Sequence, residues 1–423
     1  MTATARVRCH GLVGLTLAAL GCGHGASGDA AGKPDAMADV AERDAGADHV
    51  THAVADAGAD HVTHAVTDAG ADAATRVDII SPDAATELVV EGAPSTTSGM
   101  ADVAIFYPAG AASGVLTYTA VNIDASGAAL STRLASSTDQ GATWTYRTDV
   151  NTPTTTSITS TNTTGCAGGT CPGTIVNEVS TVMEDPSDPD PSRLWKVITH
   201  RYFWRQGSTT PSYEYGHIAL YTSSSPGGLW SAPQPLIGWT SPSSFSSTGV
   251  IATTTTAGIP SCLVLTEPSA LVTSSGIWLA VGCISSATTI TVELLESTDH
   301  LATFTHVGTI ATADDATALH ATAPRVNASH LFEFGGQTYV LVSPGNAAGN
   351  YLGCDVLHLG SSGVVERTGS GAPVISRFLD APSAAQRGAC AVAEGAPQTG
   401  YVMNIPQVSP LQFRVYKAGV AAL

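Results

Sequence analysis

Positive charge is scarce in this chain, with 17 Lys and Arg against 35 Asp and Glu in 423 residues. Capture of a phosphate backbone needs clustered Lys and Arg, so nucleic acid is not an expected partner. Helical periodicity is missing too. Beyond residue 86 no apolar pattern of period 3.6 is sustained over a dozen residues, and short apolar runs alternate with Gly, Pro, Ser and Thr clusters. That leaves an all-β class. After the run at residues 11–20 no second apolar stretch is long enough to span a membrane. Residues 23–86 contain no aromatic residue at all. A segment without aromatics and with little other apolar surface cannot offset its ordering entropy, so it is expected to be a disordered tether.

That tether has an internal period of twelve. Asp44-Ala45-Gly46-Ala47-Asp48-His49-Val50-Thr51-His52-Ala53-Val54-Ala55 is followed by a near copy from Asp56 and a fading third from Asp68. Residues 23–90 carry 13 acidic and 3 basic side chains. Self-repulsion therefore extends a coil whose reach is already roughly 45 Å. His49, His52, His61 and His64 lie on an Ala/Gly background that supplies neither fixed geometry nor supporting hydrogen bonds, so no metal is expected there. Ahead of the tether, Arg6, Arg8 and the apolar run read as an export signal. Its ending, Ala19-Leu20-Gly21-Cys22, resembles a bacterial lipobox. The resemblance implies residues 1–22 as a lipoprotein signal peptide, a lipid on Cys22 as the link to the membrane, and an outer-membrane or cell-surface location, because Gly23 rather than Asp follows. Ordinary signal cleavage nearby is the alternative.

Six cysteines remain once Cys9 and Cys22 are set aside. Cys166 and Cys171 flank a short Ala-Gly-Gly-Thr loop, and Cys262 and Cys283 stand on two runs joined by Ser274-Ser275-Gly276. Cys354 and Cys390 then pair by exclusion, giving three expected disulfides in an oxidising compartment. Zinc at Cys166-x4-Cys171 lacks a second ligand pair at suitable spacing. No cofactor is expected.

Ser137-Thr138-Asp139-Gln140-Gly141-Ala142-Thr143-Trp144 has the composition of a tight turn that leads into an aromatic anchor. Ser137 and Asp139 can accept backbone N–H bonds, and Gly141 can take a positive φ. Ser297-Thr298-Asp299-His300-Leu301-Ala302-Thr303-Phe304 keeps the Ser, Asp and Thr, and Ser223-Ser224-Ser225-Pro226-Gly227-Gly228-Leu229-Trp230 keeps a glycine turn before Trp. The first stretch resembles the Asp box of sialidase-like β-propellers, in which Ser137, Asp139, Gly141 and Trp144 are structural. The resemblance implies one such outer hairpin per blade. Three unrelated hairpins in a β-sandwich are the alternative.

A two-strand phrase recurs five times: at Ala101 to Phe106 with Gly114 to Tyr118, at Met183 to Ser187 with Arg193 to Ile198, at Thr266 to Leu271 with Gly276 to Val281, at Pro324 to Phe334 with Gln337 to Leu341, and at Gly388 to Glu394 with Gly400 to Met403. Five units predict a five-bladed β-propeller over residues 87–423, after a tether of residues 23–86. The last unit has one strand too few after Leu411-Gln412-Phe413-Arg414-Val415-Tyr416, and Glu87-Leu88-Val89-Val90-Glu91 is placed to complete it and remove the free edges.

Asp102, Asp185 and Glu267 stand 83 and 82 residues apart, as a shared radial position would produce. Glu184-Asp185-Pro186-Ser187 and Glu267-Pro268-Ser269 resemble the blade phrases of five-bladed glycosidases of the arabinanase and xylosidase type. That resemblance implies Asp102 as base, Asp185 as the group that tunes and orients, and Glu267 as acid, although Glu184 beside Asp185 leaves open which of the two faces inward. Such chemistry needs one carboxylate ionised and another protonated near neutral pH. Arg201, Tyr202 and Arg325 are the candidate substrate contacts, with His200, Tyr202 and Trp204 on one strand face for stacking on a sugar. The expected protein is a monomeric glycoside hydrolase acting on extracellular glycan. A non-catalytic glycan- or protein-binding propeller is the alternative, and an exo-sialidase the third possibility, weakened because the Arg-Ile-Pro phrase is missing.

Overall fold

The apolar runs form strands that are buried on both faces, because each sheet is packed between two others. In the computed structural model, residues 76–108, 111–159, 169–208, 211, 213–239, 259, 262, 264–285, 289–393, 400–408 and 411–418 are described. Strands β1 (Arg76–Ile79) and β2 (Val90–Glu91) precede the first blade, which comprises β3 (Met100–Phe106), β4 (Gly114–Asp124), β5 (Gly127–Ser137) and β6 (Trp144–Asp149). The second blade has β7 (Thr154–Thr159), β8 (Thr170–Glu184), β9 (Trp195–Arg205), β10 (Glu214–Ser223) and β11 (Gln234–Gly238). The third has β12 (Val264–Val272), β13 (Ile277–Ile284), β14 (Ile290–Ser297) and β15 (Thr305–Ala311). A one-turn-plus helix, α1 (Ala313–Leu319), leads to the fourth blade, β16 (Arg325–Phe334), β17 (Gln337–Gly345), β18 (Cys354–Leu359) and β19 (Ile375–Asp380). The fifth is β20 (Cys390–Ala393), β21 (Gly400–Val408) and β22 (Leu411–Lys417).

These five antiparallel sheets make a five-bladed β-propeller. Burial follows radial position. Every residue of β13 is buried, whereas the outer β15 is mostly half-buried or exposed. Between each pair of neighbouring blades lies one apolar layer, and five such layers close the ring. Trp144 is almost fully buried between the first and fifth blades, and Trp230 packs on the layer between the first and second. Burying a Trp of this size contributes roughly 4–6 kcal/mol by area. Among the described residues no helix is long and apolar enough to cross a membrane.

Closure uses the segment ahead of the first blade, but Glu87–Glu91 does not form the fourth strand expected of the last sheet: only an isolated bridge joins it to β22, and Val90–Glu91 belongs to the first blade. Glu87 bridges Tyr416, Leu88 N–H donates to Val415 O (2.8 Å), and Lys417 N–H donates to Thr86 O (2.7 Å). The chain then moves to the first blade, where Val90 and Glu91 pair in parallel with Trp144 and Thr145. At the crossing Gly99 has φ +83°, and a Cβ there would meet Phe413 O at 2.1 Å, so only glycine fits. The expected tether boundary needs correction. Residues 76–86 belong to the folded unit: β1 pairs in parallel with β19, and buried Asp78 is ion-paired with buried Arg377. Arg76, Asp78 and Asp83 give this stretch the polar character of the repeat that precedes it.

Cys262–Cys283 and Cys354–Cys390 are disulfides with Cα separations of 5.2 and 6.2 Å, the second joining the fourth and fifth blades. Cys171 is disulfide-bonded and buried. Its expected partner Cys166 lies outside the described residues, as do Cys22, the signal segment and the twelve-residue repeats.

Candidate active site

Four of the five innermost strands carry a bulge at the same level. The register breaks between Ala101 and Ala104 in β3, Glu178 and Ser180 in β8, Thr266 and Ser269 in β12, and Asn327 and His330 in β16. One residue in each takes the left-handed region: Asp102 (φ +50°), Val179 (+45°), Glu267 (+50°) and Ala328 (+51°). No glycine is used, and Val179 is β-branched, so each position is strained; such strain concentrates at sites that re-aim a side chain. The bulges are braced across the blades by hydroxyls. Val179 N–H donates to Thr119 Oγ1 (3.1 Å), and Leu331 N–H donates to Ser269 Oγ (2.8 Å).

Three of the bulges deliver carboxylates to one place. Burial and the charge of Glu178 raise the Asp102 pKa to about 7, with the Thr119 hydroxyl working against the rise. Burial likewise lifts Glu178 to about 7, held back by Tyr202. Glu267 is raised well above the usual carboxylate range, by burial and by the charges of Asp102 and Glu178, with Asn327 opposing. The three groups share one field, so they cannot all be ionised at neutral pH. Glu178 and Glu267 are buried, whereas Asp102 is partly accessible. Around them, Tyr202 OH, Tyr351 OH, His200 Nε2 and both polar atoms of the Asn327 amide are buried and make no hydrogen bond of good geometry, although Tyr202 and Asn327 lie close enough to act on Glu178 and Glu267. Buried polar groups are normally satisfied, so this concentration marks a site built to receive polar groups from elsewhere.

Asp102 and Glu267 therefore share one field, but Asp185 does not join them. It follows the end of β8, seven residues past Glu178 and so roughly 20 Å further along the strand. There it contacts Lys196 Nζ (3.2 Å) and His300 Nδ1 (2.8 Å) and accepts from Ser187 Oγ (2.7 Å). Burial favours its neutral form, but Ser187, His300 and Lys196 outweigh it and hold the pKa at about 2. Asp185, Asp188 and His300 form a tight group, and fully buried Lys196 already supplies the cation, 2.7 Å from Asp188. Asp185 thus docks the second blade onto the Ser297–Phe304 turn of the third. Glu184, the other candidate, lines an axial cavity of about 790 Å³ at that far end, together with Phe106, Val272, His330 and Phe332.

The near-equal spacing of 83 and 82 residues is a coincidence of loop lengths. In the third blade the Glu-Pro pair is the bulge itself, whereas in the second the Asp-Pro pair begins the hairpin turn. Glu178 was missed, although one signal existed: it is a lone acid in the strand run Thr174-Ile175-Val176-Asn177-Glu178-Val179.

The expected substrate contacts divide. Tyr202 is fully buried and stands beside Glu178. It packs against His200 and Tyr213 in tilted arrangements at centroid distances of 4.7 and 5.1 Å, and fully buried Trp204 completes a packed aromatic row. This row walls the site and is no open platform for a sugar. Arg201 lies on the other face of β9, with its guanidinium beside Tyr221. Arg325, half-buried at the start of β16, shares a strand face with Asn327 but exerts no resolved influence on the three carboxylates.

No protein-family model matches the chain, and no curated protein matches it in sequence. Solved structures do resemble it in shape. An arabinanase of Bacillus subtilis is 13% identical with a TM-score of 0.40, over 76% of this chain and 95% of that one. A family 117 glycoside hydrolase produced by the marine bacterium Zobellia galactanivorans is 12% identical with a TM-score of 0.44, over 77% and 86%. An exo-β-1,3-galactanase from Clostridium thermocellum is 12% identical with a TM-score of 0.47, over 80% and 61%. These likenesses are of overall shape only.

Proposed function

We propose that the chain is a glycoside hydrolase that cleaves a neutral glycan with inversion, using Glu267 as acid and Asp102 as base. The observation that carries this is the convergence of Asp102, Glu178 and Glu267 from three successive blades, in a field that raises all three, with both of the other acids raising Glu267. A carboxyl that keeps its proton at neutral pH can give it to the glycosidic oxygen as the bond to the anomeric carbon breaks. Asp102, the more accessible partner, takes a proton from the water that attacks the opposite face. Glu178 stands where the sequence had suggested Asp185 and serves to hold the proton on Glu267. Inversion requires the acid and base carboxyls to lie about 6.5–9.5 Å apart.

No cation among the described residues acts on the three carboxylates, so an anionic sugar would meet net repulsion. That favours neutral sugars over sialic acids, whose carboxylate calls for an arginine clamp. The decisive experiment is turnover of arabinan, xylan and galactan oligosaccharides followed by NMR of the released anomer. Glu267→Gln should lower kcat by roughly 10²–10⁴-fold while the fold persists. If no neutral glycan is turned over, and glycan binding by calorimetry is unaffected by Glu267→Gln, the protein is a binding propeller instead.

We further propose that the propeller is exported and held at a bacterial cell surface by a lipid on Cys22. The disulfides support an oxidising compartment. Incorporation of labelled palmitate that survives Cys22→Ala would exclude that anchor.

A further inference from the structure

The fourth blade repeats the bulge of the other three but places Ala328, not an acid, at the strained position. The residue before it, Asn327, matches Glu178 in the register of its own strand, each standing last before the break. Asn327 is 1% exposed; neither end of its amide makes a hydrogen bond of good geometry, and the polar groups close enough for it to act on are Glu267 and Tyr351. A buried amide is expensive to desolvate unless its hydrogen-bonding capacity is used, and here it is turned on the carboxyl of Glu267.

Its surroundings are specific. A Cβ on Gly282 of β13 would lie 2.9 Å from Asn327 Oδ1 and 3.1 Å from Thr266 Cγ2, so glycine there lets the amide reach the bulge that carries Glu267. The buried hydroxyl of Tyr351 stands beside the Asn327 amide and within the field of Glu267. We propose that Asn327 is a positioning residue for Glu267: its amide, supplied by the fourth blade, holds the carboxyl of the acid in the orientation from which the proton is delivered.

This deepens the hydrolase assignment and rests on Glu267 being the acid. The groups facing Glu267 are Asp102 from β3, Glu178 from β8, Asn327 from β16 and Tyr351 from the turn after β17, with His200 bonded to the adjacent Thr266 (3.1 Å). Of these, Asp102 and Glu178 push the Glu267 pKa up and Asn327 alone pulls it down. Removing the amide should therefore raise it further.

Two variants test this. Asn327→Leu removes the hydrogen-bonding amide at similar volume, and Asn327→Asp keeps the shape but adds a fourth acid. Both should move the basic limb of the kcat/KM profile to higher pH. Asn327→Leu should also lower kcat by on the order of 10²-fold with KM little changed, as misplacement of a reacting group does. A basic limb that stays in place in both variants, or a rise in KM at constant kcat, would overturn the assignment. A second measurement needs no substrate. The carboxylic-acid band of Glu267, identified by infrared difference against Glu267→Gln, should titrate at higher pH in Asn327→Leu than in the parent protein. An unmoved midpoint sinks the positioning role whether or not the protein is a hydrolase, whereas a shifted midpoint without turnover on any glycan counts against the hydrolase assignment alone.

Discussion

Glu267, Glu178 and Asp102 are protonated more readily in the folded chain than they would be in water, and this has a consequence for stability. Their folded pKa values lie above the unfolded ones, so their neutral forms favour the fold. That contribution is complete below about pH 4; for Asp102 and Glu178 it is lost as pH rises through about 7, and for Glu267 the loss runs upward from the ordinary carboxylate range, since the unfolded chain then releases protons that the folded one retains. Asp185 has the opposite sign. Held at about 2, it contributes stability that is present above about pH 4 and lost as pH falls through about 2. Buried His200, lowered to about 3 by burial alone, loses its contribution as pH drops from about 6.5 toward 3. These groups overlap, so the wild-type profile is a sum. The difference between variants isolates the acid: Glu267→Gln should melt above the parent at pH 8 and with it at pH 4, by roughly 2–4 °C for each kcal/mol relieved. Equal melting temperatures at pH 8 would mean that Glu267 is not held protonated against its will.

At the scale of elements, the outer turns show how a degraded motif keeps its shape. In the first, Ser137 Oγ accepts from Gly141 N–H (2.8 Å), and Asp139 accepts from Thr143 N–H (2.9 Å) and Thr143 Oγ1 (2.7 Å). In the second, Ser297 accepts from Leu301 N–H (2.8 Å), and Asp299 accepts from Thr303 N–H (2.8 Å) and Thr303 Oγ1 (2.6 Å). Leu301 occupies the glycine place at φ +73°, a conformation that costs a side chain about 1 kcal/mol. It is 1% exposed, within the layer between the second and third blades, and burying a leucine contributes about 1.5–3 kcal/mol. Burial outweighs strain. Leu301→Gly should therefore destabilise by about 1–2 kcal/mol, although it restores the ideal turn residue, and chemical denaturation measures it. A more stable variant would show that the apolar contact contributes little. The third stretch has Ser223 and Ser225 in place of the Ser-Asp pair, and Ser223 Oγ donates to Ser225 O (2.8 Å). Only its Trp survives in role.

For the whole molecule the vulnerable place is the seam between the fifth and first blades. Residues 86–88 complete the outer side of β22, and β2 continues onto β6. Without them β22 presents a free edge, which templates association. A chain beginning at residue 76 should remain monomeric and melt cooperatively, whereas one beginning at residue 92 should aggregate or melt well below it. Size-exclusion chromatography with thermal melting decides, and equal behaviour of the two would show that the seam closes without this segment. The disulfide between Cys354 and Cys390 ties the fourth blade to the fifth beside this seam. Closing a loop of 36 residues, it contributes about 3–4 kcal/mol.

The five-unit repeat, the all-β class and two disulfide pairs were legible in the chain because they depend on local signals: turn residues, apolar runs and cysteine spacing. Asp102 and Glu267 were legible for a related reason, each lying in the first strand of a recurring phrase. Glu178 and Asn327 were not, and Asp185 was placed wrongly. Whether an acid near Pro occupies a bulge, as Glu267 does, or a hairpin end, as Asp185 does, depends on strand register. Register is decided by pairing between strands far apart in sequence, and a few residues of slip along β8 separate the axis from the rim. The ordered start at Arg76 was hidden likewise, since Asp78 and Arg377 are 299 residues apart and read as polar until they are buried against each other. Sequence determined the blades; only the tertiary structure decided which side chains meet on the axis, because that depends on where each strand breaks its ladder.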